Sequence, residues 1–310
     1  MYLDTNLMAL AIIPGLLLII YVYKKDKVEK EPIRLIIRLI IFGIISCIVA
    51  AGLEQAESAF LPKYPEGSVQ NALVQSFLMA ALVEETVKYL AMRFGSWRYQ
   101  GFNYRFDGIV YGVSAAVGFA LYENILYVAS YGLATAIVRA FTAVPLHAFC
   151  GVFMGVFYSY SKKASLTGQP VFKWTLLALL VPMCIHGVYD TFAFLGERGT
   201  MPLLVFVVLL YIAAISTIRK MSKEDYRSGF YTAPAAYASP QTFQQPVQQS
   251  PERQQVLQQA QQPVQPQQPQ MQQPVQPAQP QMQQPVQPAQ PQQPQQSVQL
   301  DEDGDIYIEF

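Results

Sequence analysis

The residues able to do chemistry are few, and they stand where charge is expensive. Glu84, Glu85, Lys88, Glu123, Asn124, His147, His186 and Asp190 all lie inside long apolar runs. An ionised side chain at the middle of a membrane helix costs about 3 kcal/mol even on the lenient insertion scale. Glu84, Glu85, Lys88, Glu123 and Asp190 together would cost on the order of 15 kcal/mol, as much as the net stability of a whole fold. Such a set persists only if its members pair with one another or carry out a reaction.

Glu84 and Lys88 are one helical turn apart on one face, which reads as an internal ion pair. That pairing leaves one carboxylate of Glu84-Glu85 over, and a positioned carboxylate is a general base. Glu123-Asn124 fits a structural hydrogen-bonding pair and fits equally a second catalytic or metal-binding carboxylate. The chain has only two histidines, His147 and His186, and both fall inside apolar runs. Asp190, four residues after His186, either fixes the tautomer of that ring or joins it in holding a metal. Two chemistries stay open. In one, His147 and His186 bind a divalent metal such as zinc with Glu123, Asp190 or Glu84/Glu85, leaving a position for water. In the other, the histidines and Asn124 form a metal-free oxyanion hole, and Glu84 or Glu85 activates the water.

The elements that must position these groups are membrane helices. Only 14% of the 310 residues are charged, against about a quarter in soluble chains, and the deficit is concentrated in residues 1–220. Seven apolar runs approach the roughly 20 residues a bilayer span requires: about 5–23, 33–53, 71–92, 108–129, 133–160, 173–195 and 201–219. The predicted fold class is therefore all-α, a polytopic membrane protein with seven transmembrane helices. Within the fourth run Gly108, Gly112, Ala115 and Phe119 recur at helical spacing, and small residues there let a neighbouring helix approach closely. Cys47, Cys150 and Cys184 lie in apolar runs without CxxC spacing, which favours packing over a disulfide framework or zinc knuckle. No cleavable signal peptide is evident.

Loop charge sets the expected orientation. Lys24, Lys25, Lys27 and Lys30 follow the first run; Arg93, Arg98 and Arg105 follow the third; Lys162, Lys163 and Lys173 follow the fifth; Arg219, Lys220 and Lys223 follow the seventh. The intervening loops are poor in basic residues. The alternation places the N-terminus outside and the C-terminus in the cytoplasm of a cell-membrane protein. Residues 221–310 are rich in Gln and Pro, with an eleven-residue unit repeated from Met271 and from Met282. That composition buries nothing, and a disordered cytoplasmic tail is expected. The acidic stretch Asp301–Asp305 reads as a solvated charge run suited to docking a cytoplasmic protein.

Taken in order, the motifs resemble the PrsW-type intramembrane proteases. The EExxK motif stands as Glu84-Glu85-Thr86-Val87-Lys88, FxxxEN as Phe119 to Glu123-Asn124, and HxxxD as His186 to Asp190. The family-like surroundings include Lys30-Glu31-Pro32, Asp107-Gly108, Tyr111-Gly112 and Val144-Pro145-Leu146-His147. Each motif is weak alone; together, on successive runs from Lys24 to about Leu195, they are specific. The resemblance implies proteolysis of membrane-anchored, single-span substrates. Some relatives make the first cut in an anti-sigma factor. It also implies kinship with the CAAX-prenyl endopeptidases, from which Lys88 and Asp190 set this chain apart. Two other functions fit buried acids and histidines: a proton- or ion-coupled transporter and an inactive membrane scaffold. No two-fold repeat of the kind transporters show is evident, and no feature points to nucleic acid.

Overall fold

A computed structural model describes residues 5–228, with residues 298–300 and 306–308 as a separate short element. The first unit is helical: α1 (Thr5–Lys25), α2 (Ile33–Glu57), α3 (Val69–Leu73), a π-helical stretch (Val74–Ala81), α4 (Leu82–Ser96), α5 (Arg105–Phe141), α6 (Ala143–Leu166), α7 (Phe172–Phe194) and α8 (Glu197–Ser228). Because α3, the π-helical stretch and α4 follow without a break, the described residues form seven helical columns. Five continuous segments are long and apolar enough to cross a membrane, and the one covering Arg105–Leu166 contains both α5 and α6. The column bearing Glu84, Glu85 and Lys88 is absent from that set, being divided by the π-helical stretch into pieces each too short to cross alone.

Each column overlaps one of the seven apolar runs, with the largest displacement between the fourth and the fifth. The fifth was expected to begin near residue 133. Instead α5 continues to Phe141 across a break at Gly132, and α6 begins at Ala143. Gly132 adopts φ 77° and ψ −159°, a conformation that glycine reaches without steric cost. The bend thus sits inside an apolar stretch, where hydropathy gives no sign of it.

Core residues on α5 include Ile109, Val113, Val117 and Ala120, all almost fully buried, and this helix packs against α1, α2 and α6. Glycines set how closely α6 approaches. A Cβ on Gly108 would meet Gly155 O at 2.5 Å, and one on Gly112 would meet Gly151 O at 2.2 Å. On the other side Gly43 of α2 lies against Ala115 O and Gly118 against Ile40 O. The outward surface is apolar in turn. Ile33, Ile37, Ile41, Ile45 and Ile48 run along α2 about half exposed, and Leu204, Val205, Val208, Leu209 and Ile212 do the same on α8. Rows of this length on a folded surface suit lipid rather than water. Cys47 and Cys150 are buried, whereas Cys184 is exposed.

The expected boundary at residue 220 falls inside α8, which is helical to Ser228. Most of the expected disordered tail, including Asp301–Asp305, lies outside the described residues. Within it, β1 (Val298–Leu300) and β2 (Ile306–Ile308) pair antiparallel, with Val298 opposite Ile308.

Candidate active site

The π-helical stretch leads directly into Glu84 and Glu85. Its wider turn shows in the bond from Leu82 N to Phe77 O, and π turns inside helices are frequent at functional sites. Phe77 also packs on α7, where a Cβ on Gly187 would meet its ring at 2.6 Å. The residue beside His186 is therefore small because the α4 column presses there.

Lys88 is the hub of the cluster and is fully buried. Its Nζ donates to Glu84 Oε2 at 2.9 Å and to Glu85 Oε1 at 2.8 Å. It also lies 2.9 Å from His147 Nδ1 and 4.0 Å from the centre of the Phe119 ring. An ammonium has donors only, so His147 accepts at Nδ1 and carries its proton on Nε2. That nitrogen faces Glu123 Oε2 at 2.9 Å. His186 is held at both nitrogens: Nδ1 lies 2.8 Å from Glu85 Oε1, and Nε2 lies 3.2 Å from Asp190 Oδ2. The two histidine rings meet edge to face with centres 5.1 Å apart.

Four helices thus bring the sequence-predicted residues into one buried cluster, each in a different place. Glu84, Glu85, His147 and His186 form the inner group, and one potential ligand atom from each lies within 4.8 Å of the others. Glu123 and Asp190 touch the remaining ring nitrogens, the position from which carboxylates orient metal-binding histidines. Asn124 does not face the cluster as an open donor. Its Nδ2 donates to Ala11 O at 3.0 Å, and its Oδ1 accepts from Arg139 Nε at 2.8 Å. It ties α1 to α5.

Two charged residues had not been singled out. Arg139, on α5 beyond the Gly132 bend, donates from Nη2 to Glu123 Oε2 at 2.5 Å. Glu54, near the end of α2, faces the charges of Glu84, Glu123 and Lys88, with a buried Oε1 that closes no hydrogen bond. The rule that marked Lys88 applies equally to Arg139, an arginine within an apolar run. Glu54 stands one residue past the expected end of the second run, where it passes for a loop acid.

Residues 31–216 match the model of the PrsW family intramembrane metalloproteases. The chain belongs to this family. The PrsW match covers α2 to α8 and includes all eight residues named at the outset. Relatives called Protease PrsW are similar over nearly their whole length. That of Geobacillus kaustophilus is 34% identical over 215 residues, 69% of this chain and 92% of the relative. That of Bacillus subtilis is 32% identical, covering 67% and 92%, and that of Clostridioides difficile is 30% identical, covering 69% and 91%. No solved structure matches the chain. The protein is a multi-pass membrane protease of the PrsW family, which favours hydrolysis over the transporter and scaffold alternatives.

Proposed function

We propose that the chain hydrolyses a peptide bond in a membrane-anchored, single-span protein, with Glu84, Glu85, His147 and His186 as its reaction centre. The observation that carries this reading is the convergence of those four buried groups from α4, α6 and α7. The family is described as metalloprotease, and the donor set fits a divalent metal. Two imidazoles and a carboxylate are a known zinc set, and Glu85 Oε2 is a buried acceptor that closes no hydrogen bond. When bound, zinc would supply Lewis acidity and lower the pKa of a water.

The protein's own groups supply the rest. His147, at the Nδ1 that Lys88 Nζ would have to vacate, His186 and one of the paired glutamates would hold the metal; the other glutamate is placed to accept a proton from water. Lys88 offsets the charge of both carboxylates. Glu123 and Asp190 set the direction of the imidazoles, and Arg139 anchors Glu123. A helical peptide bond is closed to attack, so the substrate unwinds or enters at the membrane edge. The loop charges support an outside N-terminus and a cytoplasmic C-terminus, with the cut on the outer side. A regulator such as an anti-sigma factor is a fitting substrate, and the Gln/Pro-rich tail offers a docking segment for a cytoplasmic protein.

The test is co-expression with candidate single-span proteins. Fragments are expected from the native chain and none from Glu85→Gln or His147→Ala, with zinc in the purified native protein and little after both histidines are replaced. Fragments that persist in these variants, or an active preparation without metal, would overturn the assignment.

A further inference from the structure

One cavity in the helical unit is lined by none of the residues of the reaction centre. It measures about 160 Å³ and is enclosed by α1, α5, α6 and α8. Val113 of α5 and Val152 of α6 form its floor, Leu18 and Val22 of α1 one flank, and Ile215 and Ile218 of α8 the other. No polar atom contributes to its wall. The floor residues are at most 1% exposed, whereas Leu18 and Ile215 are half-buried. The cavity therefore opens outward, between α1 and α8. Beside that seam Leu17 and Ile20 of α1 and Leu209 and Ile212 of α8 are 48–62% exposed, an apolar surface suited to lipid.

Water does not fill a wholly apolar cavity, because it needs polar partners there. What reaches it through an apolar seam in a bilayer is a hydrocarbon chain, which restores dispersion contacts to wall atoms that have neighbours on one side only. The rim of the seam decides which lipid supplies that chain. Lys24 and Lys25 end α1, just past Val22, and Arg219 follows Ile218 directly, with Lys223 one turn further on. These side chains start within about 8 Å of the cavity along their helices, at 1.5 Å per residue. Ser222 Oγ donates to Lys25 O at 2.5 Å, which joins α8 to α1 at this level. Lys24, Arg219 and Lys223 are exposed, and Lys25 is half-buried. The acids of this part of α8 are engaged elsewhere. Glu224 pairs with Arg105 and Lys220, and Asp225 accepts from Phe106 N. Among the described residues Lys24, Lys25, Arg219 and Lys223 form no ion pair.

We infer that this cavity seats an acyl chain of an anionic phospholipid whose headgroup phosphate lies against Lys24, Lys25, Arg219 and Lys223. Basic residues between membrane helices are a recognised setting for anionic head groups. Loop charge by itself orients a chain in the membrane, but orientation calls for no cavity beneath the charges and no seam leading into it. A seated chain fastens the first column and the last to the α5–α6 core. The inference does not depend on the chemistry proposed for Glu85 and the histidines.

Thermal melts of the full chain in detergent test it, with dioleoylphosphatidylglycerol as the anionic probe and dioleoylphosphatidylcholine as its zwitterionic counterpart. Phosphatidylglycerol should raise the melting temperature of native protein and of Glu85→Gln alike, in proportion to the logarithm of its concentration. Phosphatidylcholine should need about ten-fold more for the same rise. Dibutyrylphosphatidylglycerol, which keeps the headgroup but has chains too short to enter, should produce no such rise. These comparisons on native protein require no variant to fold. Replacing Lys25 and Arg219 together by Gln should abolish the preference between the two long-chain lipids. Val152→Phe places a ring in the cavity and should abolish the response to both. Equal responses to the two head groups, an equal effect of the short-chain lipid, a preference kept without Lys25 and Arg219, or a native response in Val152→Phe that melts like native protein would each overturn the inference.

Discussion

Lys88 Nζ stands 2.9 Å from His147 Nδ1 while donating to both Glu84 and Glu85. One ammonium therefore bridges the acid pair of its own helix, balancing one of its two charges, and fixes the proton of a histidine on another. A lysine that paired only with Glu84, as the helical spacing suggests, would have left His147 free to choose its tautomer.

Lys88→Met should be the most damaging substitution in the cluster. It leaves Glu84 and Glu85 buried without their cation, and breaking a buried pair from one side costs about 3–5 kcal/mol. The expected result is a large drop in the denaturation midpoint together with loss of cleavage. Lys88→Met protein that melts normally would show that solvent, not Lys88, carries the charge balance.

Arg139 holds Glu123, which in the proposed mechanism orients His147. Arg139→Gln removes the ion pair at Glu123 Oε2, so His147 loses the support of a fixed partner. Replacing such outer partners typically costs about ten- to a hundred-fold in metal affinity or activity. Metal titration of purified Arg139→Gln should show this loss, with partial recovery in Arg139→Lys, which keeps the charge but not the second bond to Asn124.

The close approach of α5 to α6 predicts a graded response to added methyl groups. Gly112→Ala places a Cβ 2.2 Å from Gly151 O, whereas Gly52→Ala meets nothing within 4 Å. Overpacking typically costs about 1–3 kcal/mol, so thermal melts should show Gly112→Ala clearly destabilised and Gly52→Ala close to native.

Stability should fall as pH rises past neutrality. Burial raises the Asp26 and Glu31 carboxyls to about 7 and about 8; Lys30 opposes it for Asp26 and hydrogen bonds from Tyr111 and Asp107 oppose it for Glu31, while Glu29 adds to both rises, Asp225 to that of Asp26 and Asp26 to that of Glu31. The folded chain then binds these protons more tightly than the unfolded chain does. Their stabilising contribution is complete below the ordinary carboxylate range and is lost as pH passes through about 7 to 8. Melting temperatures from about pH 5 to about pH 8.5 should decline, and Glu31→Gln should flatten the slope.

Much of this was legible beforehand because the bilayer makes the signal coarse. A run of about 20 apolar residues has few other uses, and a charge inside one is conspicuous. For that reason Glu84, Glu85, Lys88, His147, His186 and Asp190 could be picked out before any contact was known. What escaped notice sits at the margins of the runs. Glu54 lies one residue outside the expected second span, and Arg139 lies in a run whose start the bend at Gly132 displaces. The π-helical turn before Glu84 carries no composition of its own. The role of Asn124 rests on a backbone carbonyl at Ala11, which no side-chain pattern encodes. Asp26 and Glu31 looked like ordinary loop charges until folding buried them.

The separation of the partners along the chain has a consequence for biosynthesis. Glu85 meets His186 across 101 residues, and Asn124 meets Ala11 across 113. A ribosome that has delivered the first five columns has produced the paired glutamates but not the histidine that completes them. On the proposed reaction centre the nascent chain would be inert until its penultimate helix joins the others, and the newly inserted chain would not cut its neighbours at the translocon.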